Sequence, residues 1–249
     1  MMYKHSKKHY KNIANIFDDL WSYSPEYTKF ITQEIIKHLH LKSTDSLVDI
    51  GCGTGIYSQK ILRQIQLQQP IICVDASAEM LKEIPKNSQL KTMEMDGVRF
   101  SKQPGTYNKI FLKEAIHHIE EKIILFQNLY QRLTPGGIFL LLLWPPDIEH
   151  PLFVKALELF KKSQPHYQEL INLLQQVGFV TDMDMVEYSL ELPRNKYFEM
   201  VENRYVSTLS EFNDAELALG LKEIEEKYQD KPMLKFNDRM VFIAATKPD

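Results

Sequence analysis

The stretch that most restricts how this chain folds is SLVDIGCGTGIYSQKI, Ser46 to Ile61. A short apolar run breaks into glycines at 51, 53 and 55, and a helical pattern then resumes. A strand that runs through a glycine turn into a helix is the opening unit of a parallel α/β sheet. Glycine removes the side chains there, so a flat or extended ligand can lie directly on the backbone. The helix behind the turn presents unpaired N–H groups in its first turn. The segment therefore marks a nucleotide-type site at the carboxyl end of a strand.

Strand and helix patterns alternate through most of the remaining chain. Strands are predicted at 46–50, 71–75, 90–95, 107–112, 138–144, 184–192 and 239–246. The run Ile138–Trp144 is apolar at every position, as a central strand buried on both faces must be. Helical spacing aligns Tyr10, Ile13, Ala14, Phe17, Leu20 and Trp21 over 10–21, and a second helix is predicted over 25–41. Further helices are predicted over 119–133, ending at LTPGG, and over 166–177, stopped by Gly178. The alternation gives a doubly wound sheet with right-handed crossovers. The segment 193–236 is too long for a plain connection. It carries its own helix, with Asn213 as N-cap and Glu216 three residues on. The expected organisation is an N-terminal helical lid over 1–41, a core over 42–192 and 237–249, and a cap over 193–236.

Composition narrows the function. Net charge over the 249 residues is −3, which gives no general attraction to nucleic acid. The basic cluster Lys4, Lys7, Lys8 and Lys11 reads as a solvated end. No apolar run approaches the roughly 18 residues that span a bilayer. The polar opening MMYKHSKKHYKN lacks the apolar centre of a secretory signal, so a cytoplasmic location is expected. Cys52 and Cys73 read as buried free thiols, and no Cys/His spacing suggests a metal.

The charges around the loop identify the ligand class. A dinucleotide fingerprint needs a third small residue at the sixth position, where this chain has Ile56. Asp49 stands before the loop, where it would repel a pyrophosphate but suits an ammonium or sulfonium. Asp75 ends the next strand, in IICVDAS, and can accept both hydroxyls of a ribose. Asp96 ends the third, in MEMDGVRF, and can accept the amino group of an adenine, while the backbone N–H of Gly97 or Val98 meets a ring nitrogen. Partners for an amino acid, a ribose and an adenine together describe S-adenosylmethionine. Each acid has another reading: Asp49 and Asp96 also suit helix or turn caps.

VDIGCGTG, VDAS, MDG, YNKIFLKEAIHHI, RLTPGGIFLLL and LLQQVGF occur in that order. In these motifs the chain resembles the class I S-adenosylmethionine-dependent methyltransferases, of the small-molecule "type 11" kind. The resemblance covers residues 45–190 and the last strand. It implies a Rossmann-like seven-stranded sheet in the order 3-2-1-4-5-7-6, last strand antiparallel, with helices on both faces. It also implies S-adenosylmethionine as cofactor and S-adenosylhomocysteine as product. Asp49, Gly51 and Gly53 would lie at the methionine end, Asp75 at the ribose, and Asp96 and Gly97 at the adenine. Cys52, Ala76, Met80 and Val98 are further cofactor candidates, with Cys52 also suited to filling the loop and Met80 to the core. Lys113 and Glu114 would end the fourth strand under the methionine. Lys113 departs from the family, in which many relatives have a small polar residue.

Methyl transfer requires alignment of an acceptor with the methyl group under a cover that excludes water. His117 is a candidate general base, with a structural role as its alternative. His118, Trp21, Tyr23, Tyr27, Trp144, Tyr197 and Tyr205 are candidates for an aromatic acceptor pocket, each also suited to core packing. The segment around 202–217 is similar to relatives of the trans-aconitate methyltransferase kind. There Arg194 or Arg204 could clamp an acceptor carboxylate or form a surface salt bridge. The expected function is methylation of a small organic molecule, through oxygen. An RNA or protein methyltransferase, an inactive cofactor-binding scaffold and a nicotinamide oxidoreductase are the alternatives.

Overall fold

The computed structural model describes residues 10, 11, 13–86 and 89–249. Lys4, Lys7 and Lys8 lie outside the described residues, as does part of the predicted lid. A 3-10 turn at Ala14–Ile16 leads into the short helix α1, Phe17–Trp21, and then α2, Pro25–His38. Five strand–helix units follow: β1 Leu47–Ile50 with α3 Ile56–Gln64, β2 Ile71–Asp75 with α4 Ala78–Lys82, β3 Leu90–Glu94 with α5 Gly97–Ser101, β4 Tyr107–Lys113 with α6 Lys122–Arg132, and β5 Leu133–Leu143 with α7 Val154–Ser163. Helix α8, Tyr167–Val177, precedes β6, Val180–Pro193. Helices α9, Arg194–Glu202, and α10, Asp214–Tyr228, separate β6 from β7, Met233–Thr246.

The seven strands form one sheet in the order β3-β2-β1-β4-β5-β7-β6. Strands β1 to β5 pair in parallel, and β7 runs antiparallel to both β5 and β6. The centre is apolar on both faces because helices cover both: Phe139, Leu141 and Leu143 face one core, Leu140 and Leu142 the other. β3 at one edge keeps a mostly exposed, polar face, which discourages pairing with another chain.

Local chemistry sets the element ends. Ser24 caps α2 by accepting from Tyr27 N, and Pro25 takes the first helical position, where its missing N–H is no loss. Asn213 and Glu216 form a reciprocal capping box on α10. Gly178 ends α8 with φ 113. Three expectations are corrected. The helix over 10–21 is interrupted by the 3-10 turn Ala14–Ile16, so α1 begins only at Phe17, with Ile16 in its N-cap position. The helix over 119–133 starts only at Lys122, since Ile116–His118 form a 3-10 turn. LTPGG already belongs to β5 rather than to a turn, because Leu133 pairs with Tyr107 and the ladder resumes at Ile138 with Lys109. Among the described residues, no helix is long and apolar enough to cross a membrane.

Candidate active site

The carboxyl ends of β1, β2, β3 and β4 converge on one cavity of ≈ 180 Å³, beside the point where the strand order reverses. The glycine loop forms its floor. Gly51 N and Cys52 N donate to Val74 O at 2.7 and 3.1 Å, which ties the loop to β2. Gly51 has φ 72, and a Cβ there would stand 2.7 Å from Ala115 Cβ, so no other residue fits between the loop and the end of β4.

Each acid is fixed by backbone or hydroxyl donors that leave acceptor capacity free. Asp75 accepts from Gly53 N at 2.9 Å through one oxygen and from Ser77 N at 2.8 Å through the other. Asp49 is buried and accepts from Ser58 Oγ at 2.7 Å. Burial pushes the Asp49 carboxyl up to about 7, against the pull of the Ser58 hydroxyl. Asp96 accepts from Arg99 N at 2.9 Å as the N-cap of α5, so it serves as a cap while also bordering the cavity. Glu114 sits at φ 52, an uncommon conformation for a side-chain-bearing residue, and accepts from Trp144 N. Its carboxyl is also pushed up to about 7 by burial.

The expected cofactor residues Asp49, Gly51, Cys52, Gly53, Asp75, Ala76, Met80, Asp96, Gly97, Lys113 and Glu114 all border the cavity. Val98 does not; its side chain packs against the buried cluster that contains Phe100, Leu125 and Phe126. Of the expected acceptor residues, Trp21 and His118 line the cavity. Tyr10 and Phe17 join them from the same N-terminal segment, and Tyr57 joins from the first turn of α3. Tyr57 follows the glycine loop by two residues, a position that signals proximity to the loop's ligand. Tyr10 Oη and His118 Nε2 lie 3.1 Å apart. Thr54 Oγ1 donates to Asp18, which fastens α1 to the loop it covers.

The other expected acceptor residues stand elsewhere. Tyr27, Trp144, Tyr197 and Tyr205 belong to a buried polar network around Asp238. Tyr27 Oη donates to Asp238 Oδ2 at 2.7 Å, and Trp144 Nε1 donates to Oδ1 at 2.7 Å. His150 Nε2 lies 3.0 Å from that same oxygen, and its Nδ1 lies 3.0 Å from Tyr205 Oη, which meets Tyr197 Oη at 2.9 Å. Burial alone would raise the Asp238 carboxyl, but the hydrogen bond and charge of His150 hold it below the ordinary range. The network backs the cavity wall: Trp144 stacks on Trp21 at 5.1 Å between ring centroids. Tyr23, with φ 45, packs edge-on against Tyr27. Asp238 and His150 escaped the sequence reading: Asp238 stands between Asn237 and Arg239, ahead of the apolar part of β7, so nothing local marks it as buried.

His117 does not border the cavity. Its ring is buried against His118 at 4.0 Å between centroids, and neither nitrogen has a hydrogen-bond partner among the described residues. Burial pushes it well below the ordinary histidine range, so it stays neutral. Arg194 lies away from the site because its guanidinium donates to the carbonyls of Tyr228 and Gln229, where α10 ends. Arg204 pairs with Asp214 at 2.7 Å. No residue of 193–236 lines the cavity.

The donor set fits S-adenosylmethionine. Three strand tips bear acids with free lone pairs, the loop between them is bare, and aromatic rings close the remaining side.

Residues 21–182, more than half of the chain, match the family model described as a methyltransferase domain. The chain is 25% identical over 146 residues to carboxy-S-adenosyl-L-methionine synthase of Helicobacter pylori (strain ATCC 700392 / 26695), covering 52% of this chain and 59% of that protein. It is 31% identical over 104 residues to trans-aconitate 2-methyltransferase of Pseudomonas paraeruginosa, covering 42% of this chain and 38% of that one. It thus spans little more than half of the first relative and less than half of the second. Among solved structures, the YcgJ protein from Bacillus subtilis matches at TM-score 0.60 and 14% identity, covering 88% of this chain and 98% of that one. Phosphoethanolamine N-methyltransferase 2 of Haemonchus contortus, in complex with S-adenosyl-L-methionine, matches at TM-score 0.58 and 20% identity, covering 88% of this chain and 52% of that one. At these identities the two structures bear on the fold alone. The chain belongs to the methyltransferase domain family, in its class I, S-adenosylmethionine-dependent form.

Proposed function

We propose that this chain transfers a methyl group from S-adenosylmethionine to a small organic molecule, through oxygen. The observation that carries the reading is the single cavity bordered by Asp49, Asp75 and Asp96 and covered by Tyr10, Phe17 and Trp21. When bound, S-adenosylmethionine supplies a methyl group on a positively charged sulfur. Asp75 holds the ribose hydroxyls, Asp49 faces the ammonium, and Asp96 with the N–H of Gly97 reads the adenine edge. Lys113, Glu114 and Trp21 border the end where the acceptor enters.

In this reading the N-terminal segment, to residue 41, acts as the lid over a core of 42–192 and 237–249. The cap segment 193–236 supports the lid from behind, through Tyr205 against Trp21. The size of the covered space and the similarity to an enzyme named for trans-aconitate favour a small acceptor over RNA or protein. An oxygen acceptor that is already ionised needs no base. That agrees with a His117 ring lying outside the cavity.

The test is calorimetry with S-adenosylhomocysteine, followed by transfer of labelled methyl across carboxylic acids, phenols and amines. Binding together with label on an oxygen supports the proposal. Heat with a nicotinamide dinucleotide and none with S-adenosylhomocysteine would sink it. The similarity to carboxy-S-adenosyl-L-methionine synthase favours a second reading, in which the chain alters the cofactor itself. Mass spectrometry of the cofactor after incubation separates the two.

A further inference from the structure

Lys113 ends β4 with its ammonium in an aromatic slot. Nζ lies 5.0 Å from the ring centroid of Tyr57 and 5.4 Å from that of Trp21. Among the described residues, no carboxylate lies within 4.0 Å of it and no hydrogen bond satisfies it. Lys113 is half-buried at the cavity wall, and the faces of two rings compensate its lost hydration only in part.

The surrounding carboxylates already have donors. Asp238 is held by His150, Trp144 and Tyr27, Glu114 by Trp144 N, and Asp49 by Ser58. Burial pushes the Lys113 ammonium below its ordinary range, against the pull of Glu114, Asp238 and Asp49. Asp238 lies behind Trp144, with which it is hydrogen-bonded, on a strand beyond β5. Lys113 stands between Tyr57, beside the glycine loop, and Trp21, on the covering segment where the acceptor side lies.

We infer that Lys113 is the docking group for a carboxylate of the methyl acceptor, held in the slot between Trp21 and Tyr57. The inference rests on the proposed methyltransferase reading and narrows its acceptor to an organic acid. The slot's walls are rings, so the part of the acceptor next to the carboxylate is apolar or unsaturated. A charge-assisted hydrogen bond to the acceptor would replace the missing partner of the ammonium.

The test measures binding rather than turnover. Protein saturated with S-adenosylhomocysteine is titrated by calorimetry with cinnamate and trans-aconitate, and in parallel with cinnamamide and the trimethyl ester of trans-aconitate. At least one acid binds more tightly than its neutral partner. Lys113→Met weakens that acid about tenfold or more and leaves the neutral compound and S-adenosylhomocysteine within about twofold. Lys113→Arg, which keeps the charge, retains part of the preference and guards against a folding defect in the first variant.

Acids that bind no better than their neutral partners, including no binding of either, overturn the inference. So does a Lys113→Met protein with unchanged acid affinity. A tenfold loss for S-adenosylhomocysteine with 5′-methylthioadenosine unaffected also overturns it, since Lys113 would then hold the cofactor's own carboxylate. Failure of the wild-type protein to bind S-adenosylhomocysteine at all would instead fail the methyltransferase reading.

Discussion

Cofactor binding should carry a proton signature traceable to Asp49. In the free protein its buried carboxyl titrates at about 7. A cofactor ammonium stabilises the ionised form, so binding draws Asp49 toward deprotonation and releases a proton. With a pKa near 7, the ionised fraction falls about tenfold between pH 8 and pH 6, and affinity for S-adenosylhomocysteine should fall by the same factor. At pH 7 about half a proton should leave per cofactor bound. The sign for folding is opposite. A carboxyl raised in the folded state holds a proton that the unfolded chain has lost, so stability of the free protein declines as pH rises from about 4 to about 7.

Calorimetry at pH 6, 7 and 8, in buffers of different ionisation enthalpy, reads both the affinity and the proton count. Glu114 titrates in the same window, so a variant must separate the two. Asp49→Asn should bind weakly at every pH and lose the slope, while Glu114→Gln should keep it. Affinity that is flat from pH 6 to pH 8, with no dependence on buffer, would refute the argument that a buried Asp49 meets the ammonium.

Replacing Asp75 by Ala removes both the expected ribose acceptor and the anchor for Gly53 N; affinity for S-adenosylhomocysteine should fall by about 1–3 kcal/mol by calorimetry, and an unchanged value would remove Asp75 from the site. Asp238→Ala leaves His150, Trp144 and Tyr27 without their shared acceptor, so urea unfolding should show a loss of about 3–5 kcal/mol. His117→Leu removes two unpaired buried nitrogens; methyl transfer should be retained and the melting temperature should hold or rise, whereas a large fall in rate with cofactor affinity intact would restore the base role. Gly51→Ala places a Cβ against Ala115, while the same change at Gly53 meets only Phe17 Cε1 at 3.7 Å; thermal melts should show the larger loss at Gly51.

The amino-acid sequence by itself determined the fold class and the acid-bearing strand tips. Those features are local: an apolar run, an acid at or near its end and, after the first strand, a glycine turn. Asp49 lies within β1, Asp75 ends β2 and Asp96 follows β3, so spacing along the chain was enough to place them. The acceptor side was decided by tertiary structure. Tyr10, Phe17 and Trp21 reach the cavity only because the N-terminal segment folds back across the sheet. Trp144 and Tyr205 back that wall because Asp238, on the last strand, gathers hydrogen bonds from residues far away in sequence. An aromatic ring has the same pattern in sequence whether it fills a core or lines a cavity. Only the register of β7 between β5 and β6, and the path of the chain before β1, distinguish the two.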